Sequence, residues 1–190
     1  GVTKSIGADP VDDQLRIYPN GPLAAHVLGF TGVSDRTNRS PWSSDLQGKD
    51  GLELALNSIL SGAGGWQRIW RDVGGAELVA HRGADVAPRA GLNVVLTLDI
   101  GLQAILESEL AEAWAKHTPQ SLSAVMLRPA TGEILALASL PNFDPNRPGD
   151  ANADSRRNRV ICDLAEPGST FKIVAVSGAL NEGMIHLEDL

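Results

Sequence analysis

The sequence predicts an α+β fold, with strands packed on a buried helix, and three observations carry that prediction. Two apolar runs, Ser123–Arg128 and Glu133–Ser139, flank the turn residues Pro129–Gly132, the pattern of a β-hairpin. Two further stretches, Ile100–His117 and Phe171–Leu180, are too long and too apolar on at least one side for ordinary strands, and read as helices. Residues 1–91 are rich in Gly, Pro and Asp, with only short apolar pieces, which suits a loop-rich β segment. A domain boundary is therefore expected near Leu92, dividing the chain into 1–91 and 92–190.

Composition narrows the function classes. The 190 residues are 43% hydrophobic, enough for a real core, and the net charge is −7. An acidic chain with no basic run argues against a nucleic-acid partner. Arg156, Arg157 and Arg159 form the nearest thing to a basic cluster and are expected to make structural ion pairs or hydrogen bonds around a loop. Cys162 is the single cysteine, so no intrachain disulfide can form, and one Cys with four His gives no metal-ligand spacing. Neither a metal nor a cofactor is expected. No stretch approaches the roughly 20 apolar residues of a membrane-spanning helix.

In chain order, Arg16–Gly21 reads as a strand end and turn, followed by the apolar segment Leu23–Phe30. His26 lies in that segment and is expected to be packed and hydrogen-bonded, not catalytic. Asp35–Asp45 is polar and reads as an exposed loop. Leu52, Leu56, Ile59 and Leu60 have the spacing of a short amphipathic helix opening at Gly51, with Glu53 stabilised at its positive end. Trp66–Val79 reads as a hairpin turning at Gly74-Gly75, and Arg82–Gly91 as a linker.

Asn93–Leu98 is β-branched and apolar and is expected to be a strand, with Asp99 capping the helix after it. Within Ile100–His117, Leu102, Ile105, Leu106, Leu110, Ala113 and Trp114 mark one face, and Glu107, Glu109, Glu112 and Lys116 a solvated one. The small residues Ala136 and Ala138 imply a helix lying close on the second hairpin strand, with Phe171–Leu180 the natural candidate. Asn142–Ser155 reads as a loop, and Gly183 as a helix C-cap.

The chemistry is expected at Glu166–Lys172, reading Glu-Pro-Gly-Ser-Thr-Phe-Lys. Pro167 and Gly168 break the chain before the apolar helix, which places Ser169 at a helix N-terminus. Residues three apart share a helix face, so the Ser169 hydroxyl and the Lys172 amine come within reach of each other. That pairs a nucleophile with a base. An ammonium cannot accept a proton, so Lys172 has to be held neutral, by desolvation in a closed pocket and by the helix dipole. The Ser169 N–H, unpaired in the first turn, is free to face an oxyanion. Glu166 is expected only to cap or pair locally.

These residues carry a resemblance. Arg157-Asn-Arg159, Asp163 and Glu166-Pro-Gly-Ser-Thr-Phe-Lys172 are similar to the region before and through the active-site serine of class B penicillin-binding proteins, more so to the division-type branch. Tyr18-Pro-x-Gly-x-x-Ala-Ala-His26 followed by Gly29-Phe30, and Gly51-Leu-Glu53, are similar to the pedestal that precedes their catalytic domain. Thr131–Ala136 followed by Pro141–Asn146 resembles the opening strands of that domain.

The resemblance implies that 1–91 is the C-terminal part of the pedestal, or dimerisation-type, domain. It implies that 92–190 is the first part of a transpeptidase domain of the penicillin-binding and serine β-lactamase-like fold. It implies a D,D-transpeptidase that cross-links peptidoglycan stem peptides ending in D-Ala-D-Ala through an acyl-Ser169, with Lys172 as proton acceptor, and that β-lactams acylate. Further implied partners are cell-wall synthesis or division proteins and the plasma membrane, through an anchor upstream of Gly1, with the catalytic domain on its outer, periplasmic side. The Ser-x-Asn and Lys-Thr-Gly elements that complete such sites are not found after Lys172. A partial chain, inactive alone, is therefore expected.

Two other classes remain open on the sequence. A β-lactam sensor or β-lactamase-like acyl-serine protein shares Ser-x-x-Lys but not the pedestal motifs. A non-catalytic interaction module of the wall-synthesis machinery would use the pedestal alone.

Overall fold

The computed structural model describes residues 15–33, 46–63, 66–67 and 85–189. The chain divides into two compact units, Gly1–Val160 and Ile161–Leu190. The predicted loop Asp35–Asp45 and the predicted turn at Gly74-Gly75 lie outside the described residues.

The first unit is organised around a helix and a hairpin. Helix α4 (Ile100–His117) starts and stops where its sequence directs: the Asp99 carboxylate accepts from the N–H groups of Gly101 at 2.9 Å and Leu102 at 3.0 Å. Strands β5 (Leu122–Leu127) and β6 (Ile134–Leu140) pair antiparallel, with Ser123 opposite Ser139 and Val125 opposite Leu137. Gly132, at φ +75°, closes the turn by donating to the Arg128 carbonyl at 2.8 Å.

Small side chains let the helix approach. Ala136 and Ala138 are buried, and within the first unit α4 packs on β6. The register of α4 also differs from the expected apolar face. Ile105 is 57% exposed, whereas Gln103, at 1%, is among the most buried side chains described.

Gln103 is inside because β6 has an outer edge to satisfy. Its side-chain amide donates to the Leu137 carbonyl at 2.9 Å and its oxygen accepts from the Leu137 N–H at 2.9 Å. One side chain thus makes the two bonds that a neighbouring strand would make. Beside it, the Asp99 N–H donates to the Leu135 carbonyl at 2.9 Å and the Thr97 hydroxyl to the Ile134 carbonyl at 2.6 Å. Among the described residues, Thr97 is the member of Asn93–Leu98 that makes such a bond to β6. The expected strand there forms no ladder, and Val95 is 96% exposed, because the edge it approaches is already occupied by Gln103.

The remaining elements of the first unit are short. They are α1 (Ala25–Leu28), β1 (Thr31–Val33) paired antiparallel with β2 (Leu46–Gly48), α2 (Gly51–Ala55), α3 (Asn57–Leu60), β3 (Trp66–Gln67) and β4 (Asp85–Val86). β3 pairs antiparallel with β4, so part of the expected linker Arg82–Gly91 is a strand. Arg89 also bridges to Ala63 through two 2.9 Å bonds. After β6 the loop Asn142–Asn152 leads to α5 (Ala153–Arg156) and α6 (Arg159–Cys162).

The second unit is a 3-10 turn, Gly168–Phe171, running directly into α7 (Lys172–Asn181). α7 ends as expected at Gly183, φ +65°: Gly183 donates to Leu180 at 3.1 Å and Met184 to Ala179 at 2.9 Å, the paired bonds of a Schellman cap.

Candidate active site

Ser169 and Lys172 stand one turn apart at the start of the second unit. Gly168, at φ +53°, opens the 3-10 turn, and the Lys172 N–H donates to the Ser169 carbonyl, which closes one turn between the two residues. In a 3-10 turn residues i and i+3 eclipse, so Ser169 and Lys172 leave the backbone on the same side. The first backbone bond of the turn is made by Thr170 to Pro167 at 3.1 Å, and the Thr170 hydroxyl also donates to Pro167. The Ser169 N–H precedes that bond and lies outside the turn's own pattern.

The surroundings differ from the sequence expectation. The sequence predicts a buried helix here, yet Phe171, Ile173 and Val174 are 59%, 73% and 57% exposed, and Ser169 and Lys172 are exposed too. The closed pocket that would desolvate an amine is not supplied by the described residues. Glu166 is exposed, and it has no hydrogen bond or ion pair among the described residues, so its expected local cap is not formed.

The other candidates raised by the sequence take structural positions in the first unit. His26 is buried; its Nε2–H donates to the Ser155 carbonyl at 2.8 Å, and its ring meets Phe143 edge-on at 5.3 Å. Burial pushes its pKa below the ordinary value, against smaller opposing effects of the Ser155 carbonyl and the Glu107 and Asp50 carboxylates. Glu53, third residue of α2, is buried and pairs with Arg16 Nε at 2.6 Å, while Asp50 caps the helix by accepting from Gly51. The Tyr18 hydroxyl donates to Glu53 at 3.3 Å; burial, and then the Glu53 charge, push the phenol's pKa up. Arg16 and Glu53, with Leu28, Leu52, Leu56 and Leu60, line a cavity of about 600 Å³ within the first unit.

The arginine cluster behaves as expected. Arg156 donates to the Pro148 carbonyl at 2.8 Å and the Ala151 carbonyl at 2.7 Å and stacks over Phe30, and Arg159 pairs with Asp154 at 2.5 Å. What sequence reasoning missed is the part played by Glu107 and three asparagines. Glu107, assigned to the solvated face, accepts from the Ala24 N–H at 2.7 Å and from Gln103 Nε2 at 2.7 Å. Asn142, Asn146 and Asn158 bond to backbone groups of the segment Tyr18–His26. The available signal was Asn142 and Asn146 flanking the Phe-Asp-Pro of a loop, where side-chain amides commonly replace backbone partners.

Two family models match the chain: the penicillin-binding protein dimerisation domain over residues 3–96 and the penicillin-binding protein transpeptidase domain over residues 122–190. The chain is 39% identical over 177 residues to the protein named "Probable peptidoglycan D,D-transpeptidase PenA" of Neisseria meningitidis, a match covering 92% of the chain and 28% of that relative. It is 35% identical to stage V sporulation protein D of Bacillus subtilis, over 96% of the chain and 27% of the relative. It is 34% identical to the peptidoglycan D,D-transpeptidase FtsI of Escherichia coli, over 92% of the chain and 27% of the relative. The chain thus spans little more than a quarter of the length of these relatives.

Among solved structures it is similar to penicillin-binding protein 2X of Streptococcus thermophilus, with a TM-score of 0.72 and 31% identity over 90% of the chain and 25% of that structure. The α+β arrangement described above is the one these proteins share. With matches to both domain models and to such relatives along most of its length, the chain belongs to the class B penicillin-binding protein family.

Proposed function

We propose that the chain is part of a serine-type peptidoglycan D,D-transpeptidase of the division-type branch, with Ser169 as nucleophile and Lys172 as base. The observation that carries this is the single turn joining Ser169 to Lys172, within the region matched by the transpeptidase model.

The Lys172 amine takes the hydroxyl proton as Ser169 Oγ attacks the carbonyl between two D-alanines of a stem peptide. The peptide C–N bond breaks, the terminal D-alanine leaves with the proton on its amine, and the donor peptide remains as a Ser169 ester. An amino group of a neighbouring stem peptide then attacks the ester, forming the cross-link and returning the proton to Ser169. The Ser169 N–H supplies half of the oxyanion hole, a contribution of about 10²–10³ in rate per donor. A β-lactam is opened by the same hydroxyl and leaves a stable acyl group.

The uncovered apolar side of α7 fits an incomplete domain. In the full-length protein further strands, carrying Ser-x-Asn and Lys-Thr-Gly elements, cover that side and desolvate Lys172. The 190 residues alone do not turn over substrate. Residues 1–91 serve as the end of the pedestal, which meets cell-wall synthesis or division proteins, and 92–190 open the transpeptidase domain. The protein is held in the plasma membrane by an anchor outside this chain, its catalytic part on the outer, periplasmic side; no described helix is long and apolar enough to cross a membrane.

The test is covalent labelling of the full-length protein with fluorescent penicillin. A stoichiometric adduct that survives denaturation is expected, lost in Ser169→Ala. A folded full-length protein that takes no label refutes the assignment.

A further inference from the structure

The turn between Tyr18 and Ala25 carries backbone bonds of its own: Gly21 donates to the Tyr18 carbonyl at 3.0 Å, Leu23 to Asn20 at 3.2 Å and Ala25 to Pro22 at 3.1 Å. The Ala24 N–H goes elsewhere. Ala24 stands at φ +57°, the left-handed region that a Cβ disfavours, and its N–H donates at 2.7 Å to Glu107 Oε1 on helix α4. The same oxygen accepts from Gln103 Nε2, also at 2.7 Å. That amide donates in addition to the Leu137 carbonyl at 2.9 Å, and its oxygen accepts from the Leu137 N–H at 2.9 Å. One line of hydrogen bonds thus runs from a backbone N–H in the turn, through two side chains four residues apart on one helix face, to both backbone groups of a residue in β6.

A carboxylate strengthens the bonds it accepts, and this one also fixes the Gln103 amide, because turning the amide over would set its oxygen against Glu107 and against the Leu137 carbonyl. Helix α4 lies between the two stretches matched by the family models, 3–96 and 122–190, and with these two side chains it holds a residue of each. We propose that Glu107 and Gln103 form a relay coupling the conformation of the Tyr18–Ala25 turn to the edge of β6, so that a load or a partner on the turn changes how firmly Leu137 is held, and the reverse. Every residue of the relay belongs to the unit Gly1–Val160, and the coupling is the same whichever residue is the nucleophile.

The experiment perturbs one end and reads the other, in the full-length protein. Asn146→Ala removes the bonds, each 2.9 Å, that hold the Tyr18 N–H and the Tyr18 carbonyl, and leaves Glu107 and Gln103 themselves unchanged. Amide hydrogen exchange resolved to single residues is expected to speed up about fivefold or more at Ala24 and at Leu137, relative to Leu110 inside α4, which reports opening of the whole unit. In a Glu107→Ala background the same change at Asn146 is expected to alter Leu137 by less than about twofold, because the line is already cut. Faster exchange at Ala24 with Leu137 unmoved overturns the relay. So does a Leu137 response that is equal with and without Glu107, or no larger than that of Leu110. Where Asn146→Ala does not fold, Asn146→Asp is the perturbation, keeping the acceptor for the Tyr18 N–H and losing the donor to its carbonyl. Where Glu107→Ala does not fold, Glu107→Gln removes the charge, and an undiminished Leu137 response in that background overturns the relay. Penicillin labelling enters none of these readouts, so a failed Ser169 assignment leaves the test intact.

Discussion

Replacing Gln103 tests whether a side chain has taken over a strand's task. Gln103 is 1% exposed and Leu137 5%, so Gln103→Ala leaves a Leu137 N–H and a Leu137 carbonyl without partners in a place water does not reach. Each such group costs about 1–3 kcal/mol, and the space left by the amide adds to it, for a total of about 3–5 kcal/mol. At about 2–4 °C per kcal/mol for a chain of this size, the midpoint falls by about 6–20 °C. Urea unfolding followed by circular dichroism measures the loss directly, with an unchanged slope showing that only stability has moved. Gln120→Ala, at an exposed position, serves as the control, within about 0.5 kcal/mol of wild type. Gln103→Glu keeps the acceptor for Leu137 but replaces the donor that lies 2.7 Å from Glu107 with a second carboxylate, so it is expected to be at least as damaging at neutral pH. A loss below about 1 kcal/mol for Gln103→Ala would show that the edge of β6 is satisfied some other way.

Further outcomes follow from the same reasoning. Gly29 and Gly132 have nearly equal φ, +74° and +75°, but a Cβ at Gly29 would lie 1.9 Å from the Asp50 carbonyl oxygen while one at Gly132 meets nothing within 4 Å. Gly132→Ala should cost only the conformational term, about 1–2 kcal/mol, and Gly29→Ala clearly more by thermal melting; equal costs would refute the steric account. His26 is buried neutral with a lowered pKa, so the unfolded chain binds the proton first as pH falls. The stability it contributes is complete above its ordinary value of 6.5 and is lost as pH drops from there toward the folded value. His26→Gln should flatten that part of the stability–pH curve. Arg16→Met leaves the Glu53 carboxylate buried without its cation and should destabilise by about 1–2 kcal/mol, an amount limited by the half-exposed guanidinium; a Glu53→Gln background should remove most of the effect.

Much of the fold was legible where local chemistry decides it. Asp99 as a cap, Pro129–Gly132 as a turn and Gly183 as a helix stop each act through their own backbone neighbourhood, and each appears where the sequence placed it. The Ser169 to Lys172 spacing was legible for the same reason, since one turn of helix is a local matter. What periodicity missed was set by partners remote in sequence. Gln103 and Glu107 read as polar helix positions, yet they point inward because Leu137 and Ala24 need partners. Asn93–Leu98 has strand composition, but composition cannot reveal that the edge it reaches is taken. The burial expected for α7 depends on what covers it, which no feature of the helix itself supplies.

The amide of Gln103 also gives the β5–β6 sheet a direction of growth. A side chain that fills both bonding positions of Leu137 terminates the hydrogen-bonded array there, because it offers no second face for another chain to join. Any added strand, whether from later in the same polypeptide or from a neighbouring copy at high concentration, has to enter beside β5. Assembly order in this protein is thereby biased by one residue of a helix.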